Sequence, residues 1–191
     1  MKKWHKADPD TGNMFKTLYR DKFNVCKVIM PNVYVGNWNE CDALLVLKSG
    51  YVHEVEMKVS VSDFRADFKK SNRYKKGTTQ YGFTIALDCL KHDLLANGEG
   101  FPNRFSFLVP EGMIGVDDVP DYAGLYYFRR YKGDTGRIFE QKAPKLMHKN
   151  KISDDLLLHL TKKFVYRYVD SMQVPSESYE ELNGGEHEEH F

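Results

Sequence analysis

The chain has 191 residues, 41% of them hydrophobic and 14% aromatic, enough for one domain with a sizeable core. No apolar run is long enough to span a bilayer, the N-terminal lysines are not followed by the apolar segment of a secretory signal, and three scattered cysteines without CxxC spacing argue against a disulfide framework or zinc knuckle. The net charge is +1, but residues 173–191 hold six Glu and no Lys or Arg, which leaves +7 on residues 1–172; that balance suits a polyanionic partner, or equally an ordinary surface with a solubilising tail.

Apolar residues at 14, 15, 18, 19 and 23 predict a helix over 14–23. The β-rich stretch 25–36 is interrupted by Pro31 and reads as one or two short strands. "DALLVL" is a continuous apolar run of the kind buried on both faces of a sheet. After the turn "KSG", "YVHEVEMKVSV" alternates Val52, Val55, Met57 and Val59 against Glu54, Glu56 and Lys58. A helix is expected from Ser62, as N-cap, through 76, with Phe64 and Phe68 an i,i+4 pair. A further helix is expected over 84–98, with Phe83, Leu87, Leu90 and Leu94 on one face and Gly98 ending it. Strands follow at "RFSFLV", "GLYYFRRY" and "GRIFEQ", then a last helix capped by Ser153, with Leu157, Leu160, Phe164 and Tyr168 on one face. The fold class is α/β or α+β, with a mixed sheet flanked by helices. Residues 1–172 form one domain, and the acidic tail 173–191 is expected to be disordered.

The hairpin carries the chemistry. A three-residue loop, Lys48-Ser49-Gly50, places Gly50 in the left-handed position. Leu47 then pairs with Tyr51, and Asp42 falls opposite Glu56. Opposite residues share a face, and alternation adds Glu54, Lys58 and Glu40 to it. A two-residue turn would shift the register by one and separate the carboxylates. Two adjacent carboxylates repel unless a cation sits between them. Mg²⁺ takes hard oxygen ligands and keeps waters for a substrate. It polarises a phosphoryl oxygen and activates water. Lys58 would orient or deprotonate that water, or neutralise the transition state. A bare D…ExK pattern also describes a salt-bridged, solvated strand face; the preceding apolar run argues for a central strand.

Asp42, the turn and Glu56-Met57-Lys58 resemble the PD-(D/E)xK nuclease superfamily. More closely, "NECDALLVLKSGYVHEVEMKVSVSDFRADFKK" is similar to the MmcB-like branch of DNA-repair nucleases and related phage-encoded proteins, as are "KHDLL", "PNRFSFLVPEGMI" and "VPDYAGLYYF", about residues 38–148 in all. The resemblance implies a restriction-endonuclease-like core and Mg²⁺- or Mn²⁺-dependent DNA cleavage. It assigns Asp42, Glu56 and Lys58 as catalytic and Asp42 and Glu56 as metal ligands. The chain departs from the pattern where Cys41 replaces a usual Pro and where 74–88 is long. No first-helix glutamate matches either; Asp21 or Glu40 would substitute, and Glu40 is the expected third ligand. Glu54 is a weaker supporting candidate, or a solvated strand position.

Arg65, Lys69, Lys70, Arg73, Lys75 and Lys76 crowd one segment after the catalytic strand and are the expected DNA contacts. Lys91-His92 and Arg129-Arg130 are further phosphate candidates. The leading expectation is a DNA endonuclease in repair, recombination or phage DNA processing, in the cytoplasm of a bacterium or phage-infected host. The alternatives are a non-cleaving DNA-binding protein on the same fold and a phage or host interaction protein. No membrane partner is expected, and a homo-oligomer is left open.

Overall fold

The computed structural model describes residues 9–36, 38–72, 76–78, 84–86, 89–131 and 136–172. The acidic tail lies outside them. Helix α1 (Pro9–Lys22) runs through a 3₁₀ turn into strand β1 (Cys26–Tyr34), followed by β2 (Glu40–Leu47) and β3 (Val52–Met57). Helix α2 (Val61–Asp67) leads to four short strands, β4 (Ser71–Asn72), β5 (Lys76–Thr78), β6 (Thr84–Ala86) and β7 (Cys89–Leu90). Then come α3 (Lys91–Ala96), β8 (Arg104–Pro110), β9 (Ala123–Arg130), β10 (Gly136–Lys142) and α4 (Asp154–Ser171).

Six strands form one mixed sheet in the order β1-β2-β3-β8-β9-β10. β3, β8 and β9 are parallel neighbours; the other pairs are antiparallel. A parallel pair needs a crossover, and the one from β3 to β8 carries α2 and α3. One sheet face, with Leu44, Val46, Phe105 and Phe107, is covered by Phe64, Leu94, Leu95 and Leu160 from α2, α3 and α4. The other, with Ala43, Leu45, Val55 and Leu108, is covered by Met14 and Leu18 from α1. The chain is thus α+β, with a mixed sheet between helices.

Several elements differ from the sequence reading. Pro31 does not split β1, because β1 is an edge strand and needs no ladder donor on its outer side. The N-cap of α2 is Ser60, whose Oγ accepts from the Asp63 amide at 3.1 Å, while Ser62 Oγ bonds Ser60 Oγ at 3.0 Å. α2 stops at Asp67, far short of 76. The helix expected over 84–98 forms only from Lys91. β6 pairs with β5 and β7 with β4; β-branched Thr84 and Ile85 suit a strand better than a helix. Phe83 and Leu87 lie outside the described residues. At the other end of that segment Gly98 does terminate α3, with φ at +69°. Ser153 caps α4 by accepting from the Leu156 amide at 3.2 Å.

Candidate active site

The β2–β3 turn takes the three-residue form. Gly50 has φ +85°, its amide donates to the Leu47 carbonyl, and Leu47 donates to Tyr51, both at 2.8 Å. The ladder pairs Val46 with Val52, Leu45 with His53, Leu44 with Glu54 and Ala43 with Val55. Asp42 is one step further, level with Glu56. Here the strands change. Asn32 on β1 is left-handed, with φ +46°, and Val33 and its partner Cys41 pack with Met30 and Leu44 instead of with Ile29 and Ala43. Asp42 sits at this change of face. Its Oδ2 accepts from the Met57 amide at 2.8 Å, the role a β2 carbonyl plays elsewhere in the ladder.

Glu56 lies near the end of β3 beside it, and Lys58 directly follows the strand. Lys58 Nζ is 2.9 Å from Glu56 Oε2 and 2.8 Å from Asp67 Oδ1. Lys70 Nζ bridges the same pair at 3.1 and 2.6 Å. Lys91 Nζ lies 2.7 Å from Glu56 Oε1 and 2.6 Å from Glu54 Oε1. Glu54 Oε2 accepts from the Trp38 indole at 2.7 Å. Asp67 Oδ2 is 2.8 Å from His92 Nε2, and His92 Nδ1 is 2.6 Å from the Tyr122 hydroxyl. Glu54, Glu56, Asp67 and Lys91 are fully buried, and Lys58 and His92 nearly so. Of the three lysines on Glu56, Lys70 is the half-exposed one.

These contacts decide the electrostatics. Burial pushes the Glu56 carboxyl up, but Lys91, Lys58 and Lys70 outweigh it and hold it low. Asp67 is held low as well, where the His92 hydrogen bond and the lysines outweigh burial. Burial would lower the Lys58 ammonium, yet Glu56 and Asp67 raise it above an ordinary lysine. Lys91 is raised likewise by Glu54 and Glu56 against its burial. Glu54 stays above the usual range because its burial dominates. Asp42 is the exception among carboxylates near the lysines, with no ammonium in ion-pair range among the described residues. Burial, then the Glu56 charge, push its carboxyl up to about 7.

That shift makes a stability prediction. A folded value near 7 lies above the unfolded carboxylate's, about 3.9. The stabilisation from protonated Asp42 is therefore complete below about pH 4 and lost as the pH rises through about 7. Asp42→Asn keeps an acceptor for Met57 and removes the charge. It is expected to stabilise the metal-free protein at about pH 8 by roughly 2–4 kcal/mol, and to change little near pH 4. Urea unfolding in EDTA at the two pH values measures this. Equal effects at both would mean Asp42 carries no uncompensated charge.

The hairpin thus brings Asp42, Glu56 and Lys58 to one place. Glu40 is not in it; it is exposed at the start of β2, paired with Tyr34. Glu54 is no solvated strand position but fully buried. Lys91 and His92 cannot be phosphate contacts as placed, because both are enclosed. Arg65 and Lys69 are exposed on and just after α2, whereas Lys70 turns inward. Arg73 and Lys75 lie outside the described residues, and Lys76 is described only in its backbone, in β5. Arg129 and Arg130 are exposed and paired with Glu111 and Asp10. The sequence reading missed Asp67, Lys91, His92 and Tyr122 as members of the network. One signal could have found them: Glu54 and Glu56 on a fully buried strand require cations from elsewhere.

Among the described residues, no three His, Cys, Asp or Glu side chains form a metal cage. Asp42 and Glu56 are the pair that could share a cation, and any further ligands would be water or substrate. No family model matches the chain, and no curated protein matches it. Its fold is similar to that of the SPO1766 protein of unknown function from Silicibacter pomeroyi, with a TM-score of 0.54 and 14% identity over 97% of this chain and 100% of that one.

Proposed function

We propose that the chain is a divalent-metal-dependent DNA endonuclease with a restriction-endonuclease-like core. The observation that carries this reading is Asp42, a half-buried carboxylate with no ammonium in ion-pair range among the described residues and its carboxyl pushed up to about 7, on β2 beside Glu56 and Lys58 at the end of β3. A hard divalent ion suits such a pair, with waters completing its shell. The half-exposed Lys70 is the ammonium free to yield its place on Glu56 Oε2. A bound ion would polarise a phosphoryl oxygen and lower the pKa of its water. Lys58 stays cationic, since Glu56 and Asp67 raise its pKa. It therefore neutralises developing negative charge and does not remove the proton from water. Glu56 and Asp67 fix the Lys58 ammonium between them. Arg65 and Lys69 are exposed on and just after α2, the helix that carries Asp67, and would be available to phosphates.

A second reading has its own support. Both Glu56 oxygens are engaged by ammonium groups, Oε1 by Lys91 and Oε2 by Lys58 and Lys70. The cluster would then be a structural ion-pair core in a DNA-binding protein that does not cut. Mn²⁺ titration separates the two. The nuclease reading expects saturable binding by the wild type and at least tenfold weaker binding by Asp42→Asn. Equal binding by both proteins would remove Asp42 as a ligand and favour the second reading.

A further inference from the structure

A second feature lies at the same end of the sheet. α4 starts beside the β2–β3 turn, where the Ile152 amide donates to the Gly50 carbonyl at 3.1 Å. It crosses the face that holds the carboxylates and reaches β1, where the Arg167 guanidinium donates to the Asn32 carbonyl. Asn32 stands between Pro31 and Val33, whose β2 partners are Ala43 and Cys41; it is therefore level with Asp42. Adjacent strands are about 4.8 Å apart, so Glu56 on β3 is only about 10 Å from this point of β1.

Between the end of β1 and α4 lies a groove of about 480 Å³. Its floor is apolar, formed by Val33 and Phe164. Two exposed aromatics, Tyr34 and Tyr166, flank it, Tyr166 with 73% of its surface open. Lys162 and Lys163 are exposed along its rim, and no acidic side chain lines it among the described residues. Glu40, the partner of Tyr34, is the acidic group closest by register. A flat basic face would suit a duplex backbone. An apolar floor between aromatic rings suits an unpaired base, while lysines outside take its phosphates.

We propose that this groove binds single-stranded DNA leading to the Asp42–Glu56 site. The choice of DNA rests on the nuclease reading; the choice of an unpaired strand rests on the groove. The test is fluorescence anisotropy in EDTA with a labelled oligothymidine of about 20 nucleotides and a duplex of equal length, a length that spans one binding site. The single strand is expected to bind more tightly than the duplex. Lys162→Glu with Lys163→Glu should weaken binding at least tenfold and flatten its salt dependence, and Tyr166→Ala should weaken it about fivefold or more. These positions are exposed, so unchanged melting curves show that the variants fold. Wild-type binding by both variants, equal affinity for duplex, or no DNA binding would overturn the proposal. So would a dimer dispersed by Tyr166→Ala with DNA binding intact, because a second copy would then be the occupant. Groove-dependent binding without metal-dependent cleavage would uphold the groove and remove the nuclease reading. Cleavage with unaltered binding in these variants would do the reverse.

Discussion

Lys91→Met is expected to cost roughly 3–5 kcal/mol of stability, the usual result of removing one partner from a buried ion pair. Lys91 is fully buried at the start of α3, its ammonium between Glu54 and Glu56. Glu56 would keep Lys58 and Lys70. Glu54 would keep only the Trp38 indole as a close polar partner among those described. Adding Glu54→Gln removes the stranded charge, so the double variant should be more stable than Lys91→Met alone. Urea unfolding of the wild type and the three variants gives the coupling directly. A cost below about 1 kcal/mol for Lys91→Met, typical of a surface pair, would mean that Lys91 does not neutralise this pair of carboxylates.

Asp42→Asn is expected to reduce metal-dependent cleavage by roughly 10²–10⁴-fold, the several kcal/mol a bound ion contributes to phosphoryl transfer. The same variant is expected to be more stable than the wild type above neutral pH. Loss of activity with gain of stability is the signature of a carboxylate kept for function at a cost to the fold. Glu56→Gln separates less cleanly, since Glu56 also holds three lysines and its loss should weaken the fold as well. Measuring cleavage and unfolding on both variants distinguishes a ligand from a structural anion. Activity retained in Asp42→Asn would place the metal, or the chemistry, elsewhere.

The hairpin was legible in the sequence because one residue decides it. Gly50 at a left-handed position fixes a three-residue loop, and the loop fixes the register. Ser153 and Gly98 were legible for similar local reasons. The cage around Glu56 was not, because two of its three lysines, Lys70 and Lys91, come from segments well beyond β3. "KHDLL" looks like the wet start of a helix, and nothing local says that Lys91 and His92 turn inward. Their burial follows from the β3-to-β8 crossover, which lays α3 over the sheet face. Lys70 turns inward for a related reason. α2 ends at Asp67, and the Lys70 amide donates to the Asp67 carbonyl at 3.0 Å, which brings its side chain back over Glu56. The helix expected over 84–98 failed where β-branched residues and apolar spacing pointed different ways. The turn of Asp42 toward the Met57 amide lies level with left-handed Asn32 in the neighbouring strand, a change of face that alternation within β2 cannot reveal.

In the proposed function, Asp42, Glu56 and Lys58 cut DNA with a metal ion. The most direct measurement incubates the purified protein with linear, single-stranded and branched DNA, with Mg²⁺ or Mn²⁺ and with EDTA, beside Lys58→Ala. Cleavage that requires the metal and is lost in Lys58→Ala is the predicted result. Absence of cleavage on every substrate, or cleavage that persists in EDTA or in Lys58→Ala, would contradict it.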